Sequence, residues 1–375
     1  MTRSPARLHD VAGERRVRRG RAASAPGAPA PAATALGRDL VAGFLELGDK
    51  LVAYYLVRIR AQGRAARGRR ELASLVAETC RRDPKRTAFL LERLCYDFVR
   101  GRWRAGEKPW RLLCGEGAAA LPERSLILLH AGLGMALAEI LFGDLRPDSP
   151  REAFAAALER FTGLVMANAR PEYAAVSYEA LGLIVRRFLP RLHGAVEARL
   201  RAGDPRLAAY YWHGAGRAIY FLPGYFHPFP GTVRRGLEVC RREAPDASYR
   251  LDAIAGLSFA STMINLRRPE LVARLLPHLE PAETAAMASG VGGALLTRHH
   301  TTPEEPAVRA FLRPLAWPDR AATDGGLAEL WEGAVRAPCL LALDRAYPLL
   351  RARGELATLA CHRPLGALLP TERQE

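Results

Sequence analysis

The residues best suited to chemistry crowd into one stretch, Tyr210–Phe229, which reads YYWHGAGRAIYFLPGYFHPF. It holds eight of the chain's 28 aromatics (12 Phe, 5 Trp, 11 Tyr). On a helix, His213 and Arg217 stand four residues apart and share a face, with Tyr210 and Tyr220 close to it. Pro223 and Gly224 end that helix, and Tyr225, Phe226, His227 and Phe229 continue as an aromatic loop. An aromatic wall with a few polar groups is the usual composition of a small-molecule site. Tyr210, Trp212, Tyr220, Phe221 and Tyr225 would line it. Arg217 would face an anion or oxyanion, and His213 or a buried carboxylate would serve as acid or base. The competing reading is structural: large aromatics fill gaps left by the nearby glycines and belong to the core.

Glu179 completes the candidate catalytic set, because it too sits inside an apolar helical pattern. Arg186, seven residues on, offers it a plain ion pair on the same face. His130 and Glu139 are nine apart and point to opposite faces of their helix. Asp252 is expected near the start of its helix, where a carboxylate suits the positive end of the dipole. Such groups are rarely buried unpaired. A polar centre of Glu139, Glu179, Asp252, His213 and Arg217, drawn from several helices, is therefore one expectation. The familiar signatures are missing: no GxSxG elbow, HExxH, phosphate loop or dinucleotide fingerprint. The pair His299-His300 diverges by about 100° on a helix, so it does not chelate. No metal and no cofactor is expected.

Apolar residues recur near a 3.6-residue period almost throughout, and alternating strand-like runs are scarce. Helices are expected over 40–60, 71–79, 87–100, 121–142, 150–167, 172–189, 205–222, 231–242, 250–266 and 269–279. Asp83 and Pro84 break the chain before Thr87. A weak repeat joins the run from Ala131-Gly132-Leu133 to that from Ala255-Gly256-Leu257. Each is a glycine-centred apolar helix leading through Arg-Pro into a second helix. Gly214-Ala215-Gly216 begins a third such helix, and Gly290–Gly293 a degenerate fourth. Glycine inside a helix costs about 1 kcal/mol relative to Ala, and close helix crossing would compensate that cost. The expected fold is all-α: an irregular α-solenoid or doubled helical-repeat domain with close packing at glycines. The divisions read as a disordered basic Ala/Pro-rich tail (1–37), an N-terminal helical region (38–120), a helical-repeat core (121–300) and a C-terminal helical region (301–375).

The chain has 375 residues, 49% of them hydrophobic and 25% charged, enough for a real core. No run of eighteen apolar residues is free of charge, so no membrane span is expected. The net charge is +16, and Arg supplies nearly all the basic residues. Residues 1–38 hold eight Arg against Asp10 and Glu14, and Arg58–Arg70 carries six Arg and no acid. A solvated tail is the plain reading of the first run, and specific nucleic-acid binding is not expected. None of the six cysteines makes a CxxC pair, which fits a reducing cytoplasm.

Gly214-Ala215-Gly216-Arg217-Ala218-Ile219-Tyr220-Phe221 resembles a G-x-G-R-A-apolar-aromatic-F signature. It recurs in uncharacterised bacterial helical proteins encoded beside enediyne-type polyketide and other natural-product clusters. Gly132–Ala138 is similar to their G-x-G-x-A-x-A helix, and the resemblance covers about residues 90–300. It implies a cytoplasmic helical protein of specialised metabolism. The function expected is binding or processing of a long apolar intermediate in an aromatic-lined pocket. The alternative is a helical-repeat scaffold that binds a partner protein without catalysis.

Overall fold

A computed structural model describes residues 32–56, 71–82, 86–229, 231–315 and 325–368. Among them the fold is all-α, with no strand. Residues 1–31, the whole of Arg58–Arg70 and the Asp83-Pro84 break lie outside the described residues.

The helices in chain order are α1 (Ala32–Leu51), α2 (Leu72–Arg82), α3 (Thr87–Arg104), α4 (Leu126–Phe142), α5 (Arg151–Asn168) and α6 (Ala174–Phe188). Then come α7 (His193–Gly203), α8 (Pro205–Tyr220), α9 (Thr232–Glu243), α10 (Ala247–Ile264), α11 (Pro269–Ala273), α12 (Pro281–Thr301) and α13 (Ala307–Phe311). A last helical stretch runs from Gly325 to Arg353 and widens into π turns at Glu332–Arg336 and Ala342–Ala346. Pro338 and Pro348 follow these turns. Each lacks an N–H and crowds the carbonyl four residues back, inside the π turn.

Local chemistry accounts for the ends. Asp204 caps α8 by accepting from the N–H groups of Arg206 (2.9 Å) and Leu207 (3.3 Å), with Pro205 at the first helical position. Asp246 caps α10 in the same way. Glu280 and Glu283 form a capping box on α12.

Several boundaries differ from the sequence reading. Helix α1 starts at Ala32, inside the segment read as tail, because an Ala-rich run has high helix propensity. Helix α7 was not expected. The segment 269–279 yields only α11 and a 3-10 turn at Leu276–His278, since Pro277 cannot continue an α-helix. The degenerate fourth unit is the full 21-residue α12.

Helices α3, α4, α6, α8, α10 and α12 pack each on the next, and α12 returns to touch α3. The succession thus curls round on itself. One contiguous buried cluster runs from Leu72 to Leu368, so the three helical regions share a core. The packing is close because glycines let backbones meet. A Cβ on Gly182 would collide with the Tyr211 carbonyl, and one on Gly214 with the Glu179 carbonyl. Gly216 and Gly256 do the same between α8 and α10. The stretch Glu123–Phe142, which contains α4, has the length and apolarity of a membrane span, but 78% of its apolar window is buried inside the fold.

Candidate functional site

Where the six helices converge, a cavity of about 40 Å³ lies between them. Its apolar lining includes Phe89 from α3, Leu128 from α4, Val176 from α6, Phe221 just past α8, and Phe259 and Met263 from α10. Thr297 of α12 adds a hydroxyl-bearing side chain. Leu356, Leu359 and Ala360, from a single 3-10 turn near the C-terminus, complete the wall. The ionisable groups on it are Glu92, Glu179, His213 and Arg217.

These four side chains form one network. His213 Nδ1 lies 2.8 Å from Glu179 Oε1, with both side chains buried. Arg217 donates to Glu179 Oε2 at 2.8 Å and, through its other terminal nitrogen, to Glu92 Oε1 at 3.2 Å. Burial pushes the Glu179 carboxyl up, but the Arg217 guanidinium and the His213 hydrogen bond outweigh it and hold the group below the usual carboxylate range. For Glu92 burial wins: the carboxyl is raised despite Arg217, and the like charge of Glu179 adds to the rise. Burial opposes the Arg217 charge, yet the two carboxylates raise its pKa above the ordinary value. Phe259 packs on the pair, its ring 5.1 Å below the guanidinium and edge-on to His213 at 5.8 Å.

An ionised Glu179 can only accept, so His213 donates Nδ1–H to it. A neutral imidazole then carries its lone pair on Nε2. That atom has no hydrogen-bond partner among the described residues, and its ring lines the cavity. Carboxylate, imidazole and an open apolar space are the parts of an oriented general base. Arg217 stands beside it as a fixed positive charge.

The structure thus gathers Glu179, His213 and Arg217, and adds Glu92. Glu92 lies in the run Phe89-Leu90-Leu91-Glu92, and a charge inside an apolar stretch is the signal that could have found it. Glu139 and Asp252 are placed elsewhere. Glu139 accepts from the Tyr96 hydroxyl and pairs with Arg100 at 3.0 Å. Asp252 lies in the second turn of α10, past its start, and accepts the His362 N–H at 2.8 Å. Arg186 pairs with Glu243 at 2.8 Å and leaves Glu179 to Arg217.

Of the five aromatics expected to line a ligand site, only Phe221 reaches the cavity. Trp212 is buried against the His193 ring at 5.1 Å. Tyr210 stacks on Tyr178 at 6.5 Å. The Tyr220 hydroxyl meets Glu46 of α1 and accepts from Asn265 at 3.0 Å. Tyr225 offers its carbonyl to Lys50 Nζ at 3.4 Å. Among the described residues no group of three or more His, Cys, Asp or Glu side chains could hold a metal ion. His300 bonds instead to Tyr347 and the Glu123 carbonyl, both at 3.2 Å. No protein family, no curated protein and no solved structure matches this chain.

Proposed function

We propose that the protein takes an apolar small molecule into the six-helix cavity and moves a proton on it. His213 Nε2 is the base, and Glu179 positions the imidazole through Nδ1. Charge left on the substrate is stabilised by Arg217, and the proton returns to the same or a neighbouring atom. Such an isomerisation or exchange needs no co-reactant. The observation that carries the reading is the buried 2.8 Å Glu179–His213 contact with Nε2 unpartnered among the described residues, its ring at an apolar wall.

A space of 40 Å³ holds only a few waters. A long apolar intermediate of specialised metabolism, the class the sequence resemblance suggests, therefore enters only if part of the wall moves aside. A partner-binding scaffold would present the 210–229 aromatics on an open groove. The burial of Tyr211, Trp212 and Tyr220 counts against such a groove, and since none of them lines the cavity they serve as core.

Native mass spectrometry on protein isolated from its own host, with solvent extraction, is the test. The expected result is an apolar molecule of defined mass. In D2O that molecule should gain deuterium with the wild type, and not with His213→Ala. A clean apo mass, or exchange that survives His213→Ala, overturns the proposal.

A further inference from the structure

Helix α1 is mounted inside out. It turns Lys50 and Glu46 to the body: Lys50 is almost fully buried, 3.3 Å from Glu46 and 3.9 Å above the Tyr220 ring. Glu46 takes the Tyr220 hydroxyl, and Asp49 pairs with Arg268. Gly43 lets the helix press against the Pro228 carbonyl. The opposite face is apolar and open to solvent. Val41, Phe44 and Leu45 are each more than half exposed, and Leu51 and Tyr55 continue the stripe. At spacings of three and four residues these side chains share one face. Phe229, at the far side of the Gly43 contact, is also exposed, as is Phe188 beside Arg187. An apolar surface of this extent on a folded chain marks an interaction site.

The charge around the stripe identifies its occupant. Residues 1–31, which lead into α1, hold seven Arg against two acids, and residues 57–70, which follow it, hold six Arg and no acid. On the described surface Arg187 lies over Tyr54, and the exposed Arg234 shares a shallow pocket with Gly43 and Phe229. A second copy docked on this face would bring like charge, Arg187 and Arg234, against its equals. An apolar helix face flanked by arginines is instead the composition that lies in the interface of an anionic bilayer. We propose that α1 is a peripheral docking element for anionic lipid surfaces, with Phe44 and Leu45 as its insertion residues.

The test is vesicle co-sedimentation of the full chain. Wild type should sediment with phosphatidylcholine vesicles carrying phosphatidylglycerol, much less with pure phosphatidylcholine, and less again at high salt. Phe44→Glu with Leu45→Glu should weaken that binding about tenfold or more. Far-UV circular dichroism should not change, since both side chains sit in solvent. Phe44→Ala with Leu45→Ala should act in the same direction and less strongly. Wild type that ignores the anionic vesicles overturns the proposal. So does undiminished binding by the Glu variant, which would locate the contact in the basic flanks alone. A dimer that the Glu variant splits, with no vesicle binding, would assign the face to a second copy.

Discussion

Gly182 of α6 and Gly214 of α8 lie reciprocally against each other's helix. A side chain on Gly182 would enter the Tyr211 carbonyl, and one on Gly214 would enter the carbonyl of Glu179. The same crossing therefore sets the helix separation and carries Glu179 to His213. Either glycine changed to Ala should destabilise by about 1–3 kcal/mol through overpacking. Gly163, inside α5 with nothing near its Cβ position, gives the opposite sign. Gly163→Ala should stabilise by up to about 1 kcal/mol. Urea titration of the three variants measures the contrast.

Arg217 holds two buried carboxylates, of which Glu179 also has His213 as a partner. Arg217→Leu leaves Glu92 and Glu179 buried beside one another, and stability should fall by about 3–5 kcal/mol. Adding Glu92→Gln should restore part of the loss, because one of the two like charges is gone. Thermal unfolding of the single and double variants reads the coupling.

Two histidines should make the fold acid-sensitive. Burial lowers the pKa of both His130 and His193 to about 4. His130 is fully buried: its Nδ1–H donates to the Leu126 carbonyl at 2.7 Å, and Nε2 accepts the Arg170 N–H at 3.0 Å. The unfolded chain takes up these protons near pH 6.5, before the folded one does. Their contribution to stability is thus complete above pH 6.5 and is lost as pH falls toward 4. Urea midpoints across that window should decline steadily. His130→Gln should flatten part of the slope.

Asp252 acts in the other direction. Burial raises its carboxyl to about 7, against the hydrogen bond from His362 N–H. The folded state holds this proton where the unfolded state has released it, so the group destabilises increasingly as pH rises from about 4 to 7. Asp252→Asn keeps an acceptor for His362 and removes the charge. It should raise stability by roughly 1–3 kcal/mol at pH 8 and by less at pH 5. Equal gains at both pH values would show that ionisation is not the cause.

The sequence by itself determined what depends on one helix. The 3.6-residue period gave the all-α class and most helix limits. Glycines in apolar helices gave close crossings, and the four-residue spacing put His213 and Arg217 on one face, with Phe221 another turn along. Which helix covers that face was decided only by the tertiary structure, since a period fixes an angle about a helix's own axis and nothing beyond it. Among the candidate carboxylates, packing brought Glu179, 38 residues away, to Arg217, and it added Glu92, 125 away. It sent Glu139 to Tyr96 and Asp252 to His362. Tyr220 lies close to the angle of His213 but about 10 Å farther along the axis, so it meets α1 rather than the cavity. Trp212, one residue from His213, is turned about 100° away and faces His193. The outward apolar face of α1 was hidden for the same reason, because amphipathicity shows that a helix has two faces and only packing shows which one is buried.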